Sequence, residues 1–250
     1  MTTRAAVVIS CLALVGCGST SEITPGRVEL TVAAASSLSE SFESLGASFT
    51  AHHRDVGVKF NFGASSALTH QLNQGAPADV VATADEASIL AIDALAATPN
   101  ASSYFALNRL ELLVQRGNPR GLTSVGDLAD PSLTVVLCDP SVPCGAYAQQ
   151  VLANAAATVT PKSYAPTAKA AVSSVLLGEA DAAIVYATDV QAVHDRAQGL
   201  EIPAEINVVA HYPIAVMPSS DHPDAAQRFV EFVESGEGQE ILRSFGFGTP

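Results

Sequence analysis

Twice in its first third the chain runs from an extended apolar segment, through small residues and a pair of serines, into a helical pattern. The first instance is Leu30–Glu40, Leu-Thr-Val-Ala-Ala-Ala-Ser-Ser-Leu-Ser-Glu. Its front half is β-branched and small, as a buried strand requires. From Leu38 the apolar residues Leu38, Phe42, Leu45 and Phe49 recur at helical spacing. The second instance alternates Val56, Val58, Phe60 and Phe62, passes through Gly63-Ala64-Ser65-Ser66, and continues with Leu68 and Leu72 on a short helix. A strand that feeds a helix returns to the sheet parallel to itself, so this order predicts a mostly parallel sheet covered on both faces. The junction also has a chemical consequence. The first N–H groups of a helix lack partners and the dipole there favours negative charge, so strand, serines and helix start together form a ready site for an anion. The same residues admit a reading without a ligand. Ser37 and Glu40 spell a Ser-x-x-Glu capping box, and Ser65 can cap its own helix.

The remainder repeats the alternation. Asp79–Thr83 reads as a strand and Asp85–Ala96 as a helix; Arg109–Gln115 and Leu133–Cys138 read as strands. Asp139–Gly145 is a loop before a helix at about Ala146–Ala157, and another helix follows Pro166-Thr167 and runs through Leu177. Ala182–Tyr186 is a strand, Ala187-Thr188-Asp189 a loop, and Ile206–Ala210 and Pro213–Met217 are short strands. Two helices, about Pro223–Ser235 and Gly238–Phe245, close the chain.

At 250 residues the chain makes one large domain or two small ones, and 48% hydrophobic residues can bury a sizeable core. Only 15% of residues are charged, with a net charge of −13. That balance argues against disorder and against nucleic acid or an acidic membrane surface as partner.

The segment 1–16 reads as a signal peptide. It carries Arg4 as its only charge, and Ala5–Val15 is mostly apolar but too short to span a bilayer. Leu14-Val15-Gly16-Cys17 resembles a bacterial lipobox, which implies cleavage before Cys17 and its diacylation. Without Arg4, 11 basic and 25 acidic side chains leave −14. Residues 17–27, small and polar with a proline and two glycines, read as a tether between lipid and domain. Cys11 leaves with the signal peptide and Cys17 takes the lipid. Cys138 and Cys144 remain, six apart in an oxidising compartment, as a disulfide or as two thiols. Their spacing does not suit a metal site, and no histidine lies nearby in sequence. His52 and His53 read as a solvated helix end, and His211 has no companion histidine at metal spacing.

Four motifs now stand in order: Ala33-Ala34-Ala35-Ser36-Ser37-Leu38; Gly75-Ala76-Pro77-Ala78-Asp79-Val80; Asp139-Pro140 with Pro143-Cys144-Gly145-Ala146-Tyr147; and Gly178-Glu179-Ala180-Asp181 with Ile184-Val185-Tyr186. Together, from Val28 to Pro250, they resemble the periplasmic molybdate-binding proteins of ABC importers. The resemblance implies a two-lobed α/β fold of the type II periplasmic-binding-protein kind, with the ligand in a cleft between lobes joined by a double crossover. Lobe 1 is expected at 28–107 plus 212–250, and lobe 2 at 108–211. It implies a monomer that is not an enzyme, carries no cofactor or metal cation, and takes molybdate or tungstate for a membrane permease. In that family the oxyanion is held by hydroxyls and main-chain N–H groups. By position these are Ser37, Ser65, the N–H of Cys144 (where alanine is expected), the N–H of Ala168 (where valine is usual) and the hydroxyl of Tyr186. Ser36 also stands where alanine is expected. A rigid set of donors suits a fully deprotonated tetrahedral anion and disfavours one that must donate a proton. Two other readings stay open: a different oxyanion such as sulfate, and an exported serine hydrolase. Gly63-Ala64-Ser65-Ser66-Ala67 fails the Gly-x-Ser-x-Gly pattern of the latter at its last position. Tyr186 can also be a core residue with a satisfied hydroxyl.

Overall fold

The computed structural model describes residues 26–98 and 101–250. The signal peptide, Cys17 and most of the tether expected from the sequence lie outside the described residues. In chain order the elements are β1 (Val28–Ala35), α1 (Ser39–His52), β2 (Val56–Gly63), α2 (Ser65–Asn73), β3 (Val80–Ala82), α3 (Glu86–Leu90), α4 (Asp93–Ala96) and β4 (Ser102–Gln115). Then come β5 (Val135–Cys138), α5 (Pro143–Asn154), β6 (Ser163–Ala165), α6 (Ala168–Leu176), β7 (Ala182–Tyr186), α7 (Ala187–Gln191), β8 (Ala197–Glu201), β9 (Val209–Val216), α8 (Pro223–Glu234) and α9 (Gly236–Ser244).

The strands follow the order β2-β1-β3-β9-β4-β7-β5-β6, with β8 on β4. Two parallel groups stand at its ends. β1 pairs in parallel with β2 and β3, and β5 pairs in parallel with β6 and β7. Two long antiparallel strands connect them. β4 pairs through Ser102–Arg109 with β9, then through Leu110–Val114 with β7. β9 pairs in turn with β3. The sheet is therefore two α/β halves on a shared antiparallel seam, a two-lobed fold. Leu107 and His211 face each other across that seam.

The same local device builds each half. A helix ends on a glycine with positive φ, Gly75 after α2 and Gly178 after α6, where only glycine avoids a steric penalty. An aspartate then precedes the next strand. The Asp79 N–H donates to the Thr31 carbonyl and its carboxylate accepts the Thr31 N–H, each at 2.8 Å. Asp181 does the same with Thr134, again at 2.8 Å in both directions. Two of the motifs quoted above are thus clips between parallel strands.

The core follows the spacing read from the sequence. Leu38, in the turn just ahead of α1, and Phe42, Leu45 and Phe49 on it are fully buried, and Phe42 meets Phe105 at 5.6 Å while Phe49 meets Phe229 at 5.3 Å. Such aromatic pairs add about 0.5–1.5 kcal/mol each beyond their area.

Several elements differ from expectation. The helix at Asp85–Ala96 is two short helices, because the Asn73 side chain donates to the Ala91 carbonyl and accepts the Asp93 N–H at the break. β4 begins at Ser102 rather than Arg109, held by β9 from across the chain. The two strands expected near Ile206–Met217 are one, β9. Ala187-Thr188-Asp189 is the start of α7 rather than a loop. α5 starts at Pro143, so Cys144 lies in its first turn: proline suits that position because the N–H it lacks has no partner there.

Candidate functional site

Both parallel groups end their strands at the same place. Ala35 closes β1, Gly63 closes β2 and Tyr186 closes β7, and each strand end hands over to a helical start. A crevice at the carboxyl ends of parallel strands is where open α/β sheets bind ligands. Here the crevice contains a cavity of about 20 Å³, room for a compact solute of a few atoms. Its wall takes in Ala35, Ser36, Ser37, Gly63, Ala64, Ser65 and Ala84 from one half, and Val142, Pro143, Cys144, Thr167, Ala168 and Tyr186 from the other. Among the described residues no charged side chain lines it.

All five positions singled out from the sequence lie on this wall. Ser37 sits in a 3-10 turn, Ser36–Leu38, ahead of α1 and is 5% exposed. The capping box does not form: the cap position of the turn is Ala35, and Glu40 bonds to Lys169 instead. The Ser37 hydroxyl instead meets the Tyr212 hydroxyl at 3.0 Å. Ser65 opens α2 without capping it, and its Oγ accepts the Ala84 N–H at 3.0 Å. A hydroxyl that accepts from behind has its own proton left to donate forward. Cys144 and Ala168 are the second and first residues of α5 and α6. Helix geometry gives their N–H groups no carbonyl four residues back. Thr167 caps α6 by accepting the Ala170 N–H at 3.1 Å, which leaves the Ala168 N–H uncapped.

Tyr186 is 2% exposed, and among the described residues its hydroxyl has no hydrogen-bond partner. Burial pushes its ionisation well above the ordinary range, with the charge of neighbouring acidic groups acting the same way, so it stays a neutral donor. An unpaired buried hydroxyl costs about 1–3 kcal/mol. A tyrosine that is simply part of the core would have its hydroxyl satisfied. The arrangement is thus a neutral shell of donors with the starts of α2, α5 and α6 and the 3-10 turn ahead of α1 on its wall. Each helix start adds favourable potential for an anion.

Behind the wall Cys138 and Cys144 form a disulfide with Cα atoms 5.8 Å apart, tying the end of β5 to the first turn of α5. Gly145 completes this packing: a Cβ there would lie 2.0 Å from the Asp139 carbonyl oxygen. Beside the wall, Lys169 reaches Glu40 on α1 at 2.7 Å and Asp189 on α7 at 3.3 Å. Burial alone would lower the ammonium's affinity for its proton, but Asp189 and Glu40 outweigh it and hold the proton more tightly. Burial likewise opposes Glu40's charge, yet Lys169 holds its carboxyl below the ordinary range. Asp189 is fully buried, and burial raises its carboxyl despite Lys169. Tyr212, Asn108, Lys169 and Asp189 were not read from the sequence. Their partners lie far away in the chain, so no local spacing announces them. Among the described residues no cluster of His, Cys, Asp and Glu could hold a metal ion, and no helix is long and apolar enough to cross a membrane.

Comparison with known proteins concerns the chain as a whole. Residues 30–248 match the family described as bacterial extracellular solute-binding protein. The molybdate-binding protein ModA of Mycobacterium tuberculosis is 35% identical over 243 residues, covering 95% of this chain and 93% of that protein. The periplasmic molybdate-binding protein of Azotobacter vinelandii superposes with a TM-score of 0.78 at 21% identity, over 88% of this chain and 99% of that one. The sulfate-binding protein SubI of M. tuberculosis superposes with a TM-score of 0.74 at 21% identity, over 89% and 87%. These last two likenesses concern the fold. The relatives are solute-binding proteins rather than enzymes, and the chain belongs to the bacterial extracellular solute-binding protein family.

Proposed function

We propose that this protein captures molybdate outside the cytoplasm and delivers it to the membrane permease of an ABC importer, and that it takes tungstate as well. One observation carries the reading. The hydroxyls of Ser37, Ser65 and Tyr186 and the N–H groups of Cys144 and Ala168 belong to residues on the wall of a single small cavity without charged side chains. That donor set matches a dianion bearing no proton, since charge-assisted hydrogen bonds are roughly twice as strong as neutral ones. Identity of 35% to a molybdate-binding protein supports the choice of anion.

The proposal includes the arrangement that lets the ligand in. Lobe 1 comprises 28–107 with 212–250, lobe 2 comprises 108–211, and the crossings at Asn108 and His211 form the hinge. Donors from both lobes meet only when the lobes close, so the ligand favours the closed form. In solution the monomer should compact when molybdate is added; an unchanged radius of gyration by X-ray scattering would count against closure. Lipid on Cys17 keeps the protein at the outer face of the membrane, a reading supported by Leu14-Val15-Gly16-Cys17. Calorimetry with molybdate, tungstate, sulfate and phosphate tests the function. Tight one-to-one binding of molybdate and tungstate, with phosphate excluded, is expected. Preference for sulfate over molybdate would move the protein to the second reading, which the shared fold with a sulfate-binding protein supports.

A further inference from the structure

The donor-only character of the cavity depends on which way the Ser37 hydroxyl points, and residues outside the cavity bear on that. Tyr212, on β9, is fully buried, its ring set edge-on to Tyr186, Phe105 and Phe247. Its hydroxyl lies 3.0 Å from Ser37 Oγ, a contact in which either oxygen could donate. Asn108, on β4 and 5% exposed, breaks the symmetry. Its Oδ1 accepts the Arg109 N–H at 2.9 Å, which fixes the amide's orientation. Its Nδ2 then faces Thr188 Oγ1 at 2.9 Å and the Tyr212 hydroxyl at 3.4 Å. An amide nitrogen only donates. A hydrogen arriving from Asn108 occupies a lone pair of the phenol, which favours the arrangement in which the phenol's own proton goes to Ser37 Oγ. Ser37 then accepts from behind, and its proton is left for the cavity. Ser65 reaches the same state through the Ala84 N–H.

We propose that Asn108 and Tyr212 are specificity-determining positioning residues: their relay, Asn108 to Tyr212 to Ser37, holds the Ser37 hydroxyl as a donor and thereby rejects oxyanions that still carry a proton. This rests on the oxyanion reading of the cavity. A protonated oxyanion such as hydrogenphosphate brings a hydroxyl that needs an acceptor. With the relay intact the Ser37 proton points into the cavity and Tyr212 occupies one of its two lone pairs, which makes Ser37 a poor acceptor for that hydroxyl, and a buried donor without a partner is costly. Without the Tyr212 hydroxyl, Ser37 can turn and accept.

Tyr212→Phe removes one oxygen and keeps the ring. Calorimetry at pH 8 compares molybdate and sulfate, which carry no proton, with hydrogenphosphate, which has the same charge and one proton. In Tyr212→Phe the preference for molybdate over hydrogenphosphate should fall by roughly tenfold or more, the scale of one hydrogen bond to a charged group. The molybdate-to-sulfate ratio should stay unchanged. Asn108→Ala should shift the first ratio in the same direction by less. In a Ser37→Ala background, Tyr212→Phe should no longer alter it, because the relay acts through Ser37. Equal losses for all three anions, or an effect that persists without Ser37, would mean that Tyr212 only supports the fold and would overturn the relay. Wild-type protein that binds none of the three anions would overturn the oxyanion reading itself, whatever the variants do.

Discussion

Ser37 and Ser39 are two residues apart and chemically identical, yet their surroundings give them different work. Ser37 is buried on the cavity wall, whereas Ser39 donates to the Ser36 carbonyl and to Glu40 away from it. Ser37→Ala should therefore weaken oxyanion binding by about 1.5–3 kcal/mol, the range for a hydrogen bond to a charged group. Ser39→Ala should leave the calorimetric affinity nearly unchanged; equal effects would reduce Ser37 to a structural serine. Much at this scale was legible. The paired serines stand out because small residues and hydroxyls interrupt apolar runs there, whereas Cys144, Ala168 and Tyr186 were singled out by the family resemblance alone. The direction of the Ser37 proton was not legible, since Tyr212 lies 175 residues away in sequence. Of the two readings of that junction, the capping box fails for a related reason: Glu40 has the right spacing, but Lys169, from the other half of the molecule, claims its carboxylate.

At the scale of elements, the positions of α5 and α6 decide whether their first N–H groups meet the ligand. The Cys138–Cys144 bridge ties α5 to β5. It closes a loop of about seven residues, for which the chain-entropy model gives somewhat less than the ~3 kcal/mol quoted for fifteen. Its larger effect is to leave less ordering for the binding step. Reduction, or Cys138→Ala with Cys144→Ala, should lower affinity and leave one site per chain. Mass spectrometry of non-reduced protein checks that the bridge exists in freshly exported material; free thiols there would remove the basis of this expectation. α6 is held by Lys169, which spans from Asp189 to Glu40. Lys169→Met strips the buried Asp189 of its cation and should destabilise by up to about 3–5 kcal/mol, less whatever the lysine's partial exposure already cost. Adding Asp189→Asn should restore much of the melting temperature, because the stranded charge is gone. No recovery would show that the ion pair is not what Lys169 contributes. Short elements were the ones the sequence concealed. α7 has five residues, too few for periodicity to show, and β8, Ala-Gln-Gly-Leu-Glu, lacks β-branched residues and exists by pairing with β4. Long elements with one apolar face, α1 above all, were readable.

For the whole molecule the titrations act at two ends of the pH scale. Tyr186, Tyr212 and Lys169 all have raised values in the folded state; for the tyrosines the cause is burial, for Lys169 its two carboxylates. Unfolded tyrosine and lysine titrate at about 10 and about 10.4. The stability these groups confer is fully present below those values and is lost as pH rises through the folded ones. Glu40 is lowered, so its contribution is present above the ordinary carboxylate range and lost below it. Asp189 is raised by burial and works the opposite way, since acid relieves the cost of its charge. Melting temperature should thus be flat between pH 7 and 9 and fall above roughly 10, and molybdate affinity should hold across the flat range because the tyrosine donors keep their protons. A loss of binding near pH 8 would mean that another group titrates at the site. The parallel groups were legible in the strand–helix order and the two-lobed plan in the family resemblance, but the antiparallel seam was not legible in any local pattern, because β4 and β9 meet across some hundred residues of chain. The account as a whole depends on one anion in one cavity. A crystal of the protein with molybdate, measured at the molybdenum absorption edge, tests this most directly. It should give a single anomalous peak among Ser37, Ser65, Cys144, Ala168 and Tyr186, with oxygens about 2.7–2.9 Å from their donors. No peak there, or a peak in the larger cavity beside Arg109 and His194 behind the seam, would contradict it.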